Sequence, residues 1–234
     1  MMIDNPFEGL GVDGVGEWII AVGALGTAAF GLVDASKAVR GGVSNRGFGF
    51  IRDALQPFDT ALATALGTGC DWRSLMRAHW VNGRPKDEQK ALAVGLIQLG
   101  LTPDTAEEIA VHGQVDRAAL KGVVESLGSG TELTAEQLNV LGRFKATIEA
   151  RIDAAYERAE QVYRNTARAA AGVVAVLLAL AATWVVHDPA SGKDPNWAMA
   201  LLIGLVAVPL APIARDVASG LATAAKALGR RAAG

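Results

Sequence analysis

The chain has 234 residues, 51% of them hydrophobic, a formal net charge of −2 and a mean hydropathy of +0.27. That is too apolar for an ordinary water-soluble domain, and the charge balance excludes a global basic field that would collect nucleic acid. One cysteine, Cys70, excludes an intrachain disulfide and a cysteine-built metal site.

Residues 1–17 hold four acidic side chains and no Lys or Arg. A secretory signal needs a basic start, so no cleaved signal is expected, and residues 1–16 read as a flexible acidic extracytoplasmic leader. Gly9, Gly11 and Gly14 match a dinucleotide-binding spacing by accident, because that motif needs a preceding strand and a following soluble helix. The chain continues instead into the first of three charge-free runs, Trp18–Val33, Ala169–Val186 and Pro195–Ala214. About 20 mainly apolar residues cross a bilayer as a helix, within a range of roughly 17–25. The second and third runs meet that length and the first falls just short, so residues 17–40 are predicted as a first transmembrane helix whose full crossing is the weakest of the three.

Within this helix Gly23, Thr27, Gly31 and Ala35 recur every four residues. Small residues in a row allow close backbone approach, either to the other spans or to neighbouring subunits around a pore. Glu17 is the last charge before the run. In a ring of subunits it becomes a carboxylate ring of the kind that selects cations, and in a monomer it is an acid complementing the helix dipole. Glu17, Gly23, Thr27 and Gly31 are therefore the pore or selectivity candidates.

Residues 41–165 are predicted as a helical cytosolic domain. Residues 34–168 contain 17 Lys/Arg and 17 Asp/Glu, as a solvated region would. The segment Gly41–Phe50 is too glycine-rich for a regular helix and reads as a linker. Helices are then expected over Leu55–Leu66, from an N-cap at Asp71 to Val81, from Pro85 to Leu99, after Thr102-Pro103, and over Val115–Leu127. Trp72, Met76 and Trp80 fall on one helical face, with Arg73 and Arg77 beside them. Trp72, Arg73, Arg77 and Trp80 form either a partner or lipid surface, or a core stripe with solvated arginines. Thr134 with Gln137 signals a capping box. From there Leu141, Phe144, Ile148, Ile152, Ala155, Ala159 and Val162 form a seam at helical spacing. The helix is expected to run straight into the second span, as one rod of about 50 residues or roughly 80 Å.

The second transmembrane helix is placed at 166–187, a short outer loop at 188–196, the third transmembrane helix at 197–214 and a cytosolic C-terminal helix at 215–234. Pro209 and Pro212 remove amide donors and predict a bend in the third span, which with Arg215 and Asp216 makes a hinge or gate candidate. The Lys and Arg residues cluster after the first run, before the second and after the third. This puts the N-terminus outside and the domain and C-terminus in the cytoplasm, and the lack of an Asn-x-Ser/Thr sequon fits a bacterial inner membrane.

No catalytic residues are assigned and no enzyme is expected, since no phosphate loop, calcium loop or nucleophile elbow is present. His79, His112 and His187 lie far apart and no metal or cofactor is assigned. The fold class expected is an all-α integral membrane protein with three transmembrane helices and the helical domain inserted between the first two. The partners expected are the lipid bilayer, further copies of the chain and ions, with no nucleic acid. The function expected is a homo-oligomeric cation-permeable channel with a regulatory or assembly domain. The alternatives are a membrane-anchored scaffold or interaction protein, or a subunit of a larger transport complex.

Overall fold

The structure is a computed structural model. It describes residues 12–36, 39, 41–187 and 194–232, and for 12–15, 215, 217, 218 and 220–232 the backbone alone. Most of the acidic leader, Lys37, Arg40 and residues 188–193 of the outer loop lie outside the described residues, as does the side chain of Arg215. Among the described residues the protein is all-helical, with no strand. In chain order the helices are α1 (Val12–Ala35), α2 (Asn45–Leu55), α3 (Asp59–Leu66), α4 (Trp72–Val81), α5 (Lys86–Leu99), α6 (Pro103–Ile109), α7 (Arg117–Gly128), α8 (Ala135–Val186) and α9 (Trp197–Ala232). Three of them, α1, α8 and α9, are long and apolar enough to cross a membrane.

The chain divides into two compact units, residues 44–164, and residues 1–43 with 165–234, so α8 contributes to both. In the 44–164 unit the caps explain where helices begin. Asp71 accepts hydrogen bonds from the amides of Arg73 and Ser74 and starts α4, and Asp116 accepts from Ala119 and starts α7. Thr102 and Thr105 form a reciprocal box ahead of α6, and Thr134 and Gln137 another ahead of α8. Each such cap satisfies amides that the first helical turn leaves unpaired. Pro57 lies in a one-turn 3₁₀ segment, Gln56–Phe58, that separates α2 from α3, where a single helix over Leu55–Leu66 was expected.

The glycine-rich segment read as a linker is helical from Asn45 onward. The reason is tertiary: Gly47 packs so closely that a Cβ there would stand 2.5 Å from the carbonyl oxygen of Ala159 and 2.7 Å from the Trp80 ring. Close packing over α8 overrides the weak intrinsic helix preference of glycine.

The core of this unit is built from Ile51, Leu55, Phe58, Trp72, Met76, Ile97, Ile109, Leu120, Phe144, Ile148, Ile152 and Tyr156. The expected seam of α8 supplies Phe144, Ile148 and Ile152. Two polar side chains inside are paired: Tyr156 donates to Gln89 Oε1, and Gln89 donates to the carbonyl of Arg84. Burial pushes the Tyr156 phenol well above its ordinary range.

In the other unit α1 and α9 share a seam of small residues. A Cβ on Gly23 would collide with Ala214 and one on Gly26 with the carbonyl of Ala207, while Gly204 meets the backbone of Val176 on α8. Val22, Ala29, Val33, Ala171, Ala175 and Ala207 form the centre of this packing. The expected third span and C-terminal helix are one element, since α9 continues through Pro209 and Pro212 to Ala232.

Candidate functional site

In the unit formed by residues 1–43 and 165–234, the outward faces of the three apolar helices differ in kind. α8 exposes Val173, Leu177 and Trp184, and α9 exposes Leu201, Leu202 and Leu205. Bulky aliphatic and aromatic side chains of this sort suit contact with lipid tails. α1 exposes Ala24, Thr27, Ala28, Gly31 and Ala35, with Leu32 at one flank and Glu17 at its start. Successive residues turn by about 100°, so Glu17, Ala24, Ala28, Gly31 and Ala35 share one stripe.

The pore candidates are therefore divided. Gly23 is buried against Ala214 on the α9 side, whereas Glu17, Thr27 and Gly31 are exposed. The Thr27 hydroxyl donates to the carbonyl of Gly23 at 2.9 Å, which pins its rotamer along the helix. Beside the stripe lies an open groove of about 1020 Å³, bounded by Ile20, Thr27, Ala28, Ala211, Pro212 and Asp216.

The seam also has a direction. Gly23 lies against Leu210 and Ala214, and Gly26 against Ala207 and Ala211, so α1 and α9 run oppositely there. Ile20, one turn past Glu17, reaches the same groove as Asp216. A chain crossing three times in series, with Glu17 outside and Asp216 inside, carries α1 and α9 in the same direction and sets these two acids at opposite ends. The seam sets them at one end.

The tryptophan stripe of α4 is not an exposed aromatic surface. Trp72 is 2% and Trp80 9% exposed, and Met76 between them is fully buried. The Trp72 indole donates to Asp59 at 2.6 Å and the Trp80 indole to the carbonyl of Ser44 at 2.7 Å. Arg73 pairs with Asp59 at 2.8 Å and covers the Trp72 ring at 4.6 Å, and Arg77 donates to Asn45 at 2.9 Å. These arginines close the edge of the core.

Between α5 and α8, Lys86 reaches Glu157 at 2.5 Å and Asp153 at 2.9 Å, and Lys90 reaches Asp153 and Asp87, each at 3.1 Å. Hydrogen bonds from Lys86 and then Lys90 hold the Asp153 carboxyl below its usual range. Bonding to Glu157 and then Asp153 raises Lys86, and bonding to Asp153 and then Asp87 raises Lys90. No signal in a single sequence marks this cluster, because its members on the two helices lie more than sixty residues apart and meet only in the fold.

Among the described residues no three His, Cys, Asp or Glu side chains are grouped to hold a metal ion. Cys70 is a free, exposed thiol, and Nδ1 of His79 is buried without a hydrogen-bond partner. Comparison with protein families, curated proteins and solved structures finds no match to this chain.

Proposed function

We propose that the protein is a homo-oligomeric, cation-permeable membrane channel in which the small-residue face of α1 borders an axis shared between copies. The observation that carries this reading is the contrast of outward faces. Lipid gives no hydrophobic drive for helix pairing, so a face of Ala, Gly and Thr belongs against other helices or a lumen, and Leu, Val and Trp belong against tails. Three apolar helices are too few to enclose a pore within one chain, which makes several copies necessary. Glu17 at the end of the stripe, with Asp216 in the adjoining groove, gives that mouth negative charge, and acidic rings favour cations. The setting is a plasma membrane, and the unit formed by residues 44–164 is its regulatory or assembly domain.

Two experiments test the reading. In membranes carrying Cys70→Ala and Ala28→Cys, oxidation is expected to yield a disulfide-linked dimer, whereas Leu202→Cys in the same background stays monomeric. Purified protein in planar bilayers is expected to conduct cations over anions, with the reversal potential shifting toward zero selectivity in Glu17→Gln. Absence of conductance in a cross-linkable oligomer would leave an anchored assembly and remove the channel.

A further inference from the structure

The unit formed by residues 44–164 carries a second pocket, about 660 Å³ in volume, bounded by His112, Gln114, Ala146, Thr147, Ala150 and Arg151. Its construction starts with the chain leaving α6. The amides of His112 and Gly113 both bond to the carbonyl of Ile109, and that of Val115 to Ala110, so the turn is tight. Gly113 is pressed on the buried ring of Phe144, where any Cβ would collide with it. Gln114 then adopts φ 55°, the only non-glycine residue with a positive φ among the described residues. A left-handed backbone is disfavoured for a side chain of this type, and a glycine would fit without strain. The Gln114 backbone amide bonds to the carbonyl of Val111 and the Val115 amide to that of Ala110, so this left-handed residue closes the helix end as a C-terminal cap.

The polar groups around this pocket are unspent. Among the described residues the side chains of His112, Gln114, Thr147 and Arg151 make no hydrogen bond and no ion pair. His112 meets the Phe58 ring edge-on at 6.1 Å, and the Arg151 guanidinium lies 6.0 Å from the centre of that ring. Phe58 is fully buried, so both groups stand against a fixed ring. Arg158, seven residues beyond Arg151, stands on the same exposed face of α8. Ala146 and Ala150 leave room for a solute to lie on the helix beside Arg151.

We propose that this pocket binds a phosphate-bearing small molecule, held by the Arg151 guanidinium, the Thr147 hydroxyl, the Gln114 amide and the His112 imidazole. A guanidinium fork offers two parallel donors that match phosphate oxygens, and hydroxyl and amide donors complete the coordination of a tetrahedral anion. The groove is open to solvent, so a bound solute lies along it with one side exposed. This inference does not rest on the channel reading, because it concerns binding by the 44–164 unit whether or not the protein conducts.

Inorganic pyrophosphate is the probe, titrated calorimetrically into the detergent-solubilised full chain at low ionic strength. Wild type is expected to bind, and Arg151→Gln and Thr147→Val to weaken binding by about tenfold or more, as for hydrogen bonds to a charged group. Arg84→Gln, whose side chain pairs with Glu88 outside the pocket, is expected to bind as wild type. Should Arg151→Gln fail to fold, Thr147→Val and Gln114→Gly carry the comparison. No binding by wild type, or equal loss in Arg84→Gln, overturns the proposal. Phospholipid headgroups present the same phosphate chemistry. Repeating the titration in nanodiscs with and without phosphatidic acid separates the sources, since a lipid occupant blocks pyrophosphate and a soluble one leaves it unaffected.

Discussion

Gly47 and Gln114 break local rules in opposite senses. Glycine weakens an isolated helix, yet α2 contains Gly47 because the Ala159 carbonyl and the Trp80 ring leave no room for a methyl group. Gly47→Ala is expected to destabilise the 44–164 unit by about 1–3 kcal/mol, the usual penalty of overpacking, in denaturant unfolding of the full chain. An unchanged stability would mean that α2 can shift off α8 freely. Gln114 sits at φ 55° where glycine would be relaxed. Gln114→Gly is expected to raise stability by up to about 1 kcal/mol while weakening pyrophosphate binding. A purely structural glutamine would give the same gain in stability and leave pyrophosphate binding unchanged. At this scale the sequence was legible where a residue acts on its own neighbours, as Asp71, Thr102 and Thr134 do in capping. It was illegible at Gly47, whose partner Ala159 lies more than a hundred residues away.

At the scale of elements, the lysine–carboxylate cluster bridges the exposed edge of α5 and the 135–164 part of α8, and its pH response has a definite sign. The Asp153 pKa is lowered from 3.8, so its contribution to stability is complete above pH 3.8 and is lost as the pH falls through the lower folded value. The pKa values of Lys86 and Lys90 are raised from 10.5, so their contribution is complete below pH 10.5 and is lost as the pH rises beyond it. Thermal unfolding against pH is expected to show a plateau between these limits. In Asp153→Asn the acid limb is expected to be shallower than in wild type, and an unchanged limb would show that the cluster does not set it. The other packed pair, α1 with α9, depends on Gly26 against the Ala207 carbonyl. Gly26→Leu is expected to separate these helices, read as a lowered melting temperature in detergent, whereas Gly31→Leu meets nothing within its own chain and is expected to lower only the yield of the Ala28→Cys cross-linked dimer.

For the whole molecule the direction of the α1–α9 seam has a measurable consequence. Glu17→Cys and Asp216→Cys, each in a Cys70→Ala background, are expected to react with a membrane-impermeant maleimide from the same side of sealed vesicles. Labelling from opposite sides would restore the serial three-span arrangement that the charge pattern suggests. The charge pattern and the seam disagree for a physical reason. Lys and Arg near membrane ends report how each segment is inserted, one at a time. The seam reports which faces close together once the glycines of α1 meet the alanines of α9.

The sequence by itself determined the helical class, the three long apolar segments and most helix starts, because each arises from local composition, periodicity or a cap within four residues. It also placed Phe144, Ile148 and Ile152 in the core, since one seam at helical spacing needs no knowledge of its partner. Only the tertiary structure decided that the α4 tryptophans are core and that Gly23 and Gly31 face different ways. It alone gathered His112, Gln114, Thr147 and Arg151 around one pocket. Those outcomes depend on which distant surface each side chain meets, and periodicity fixes a face without fixing what covers it.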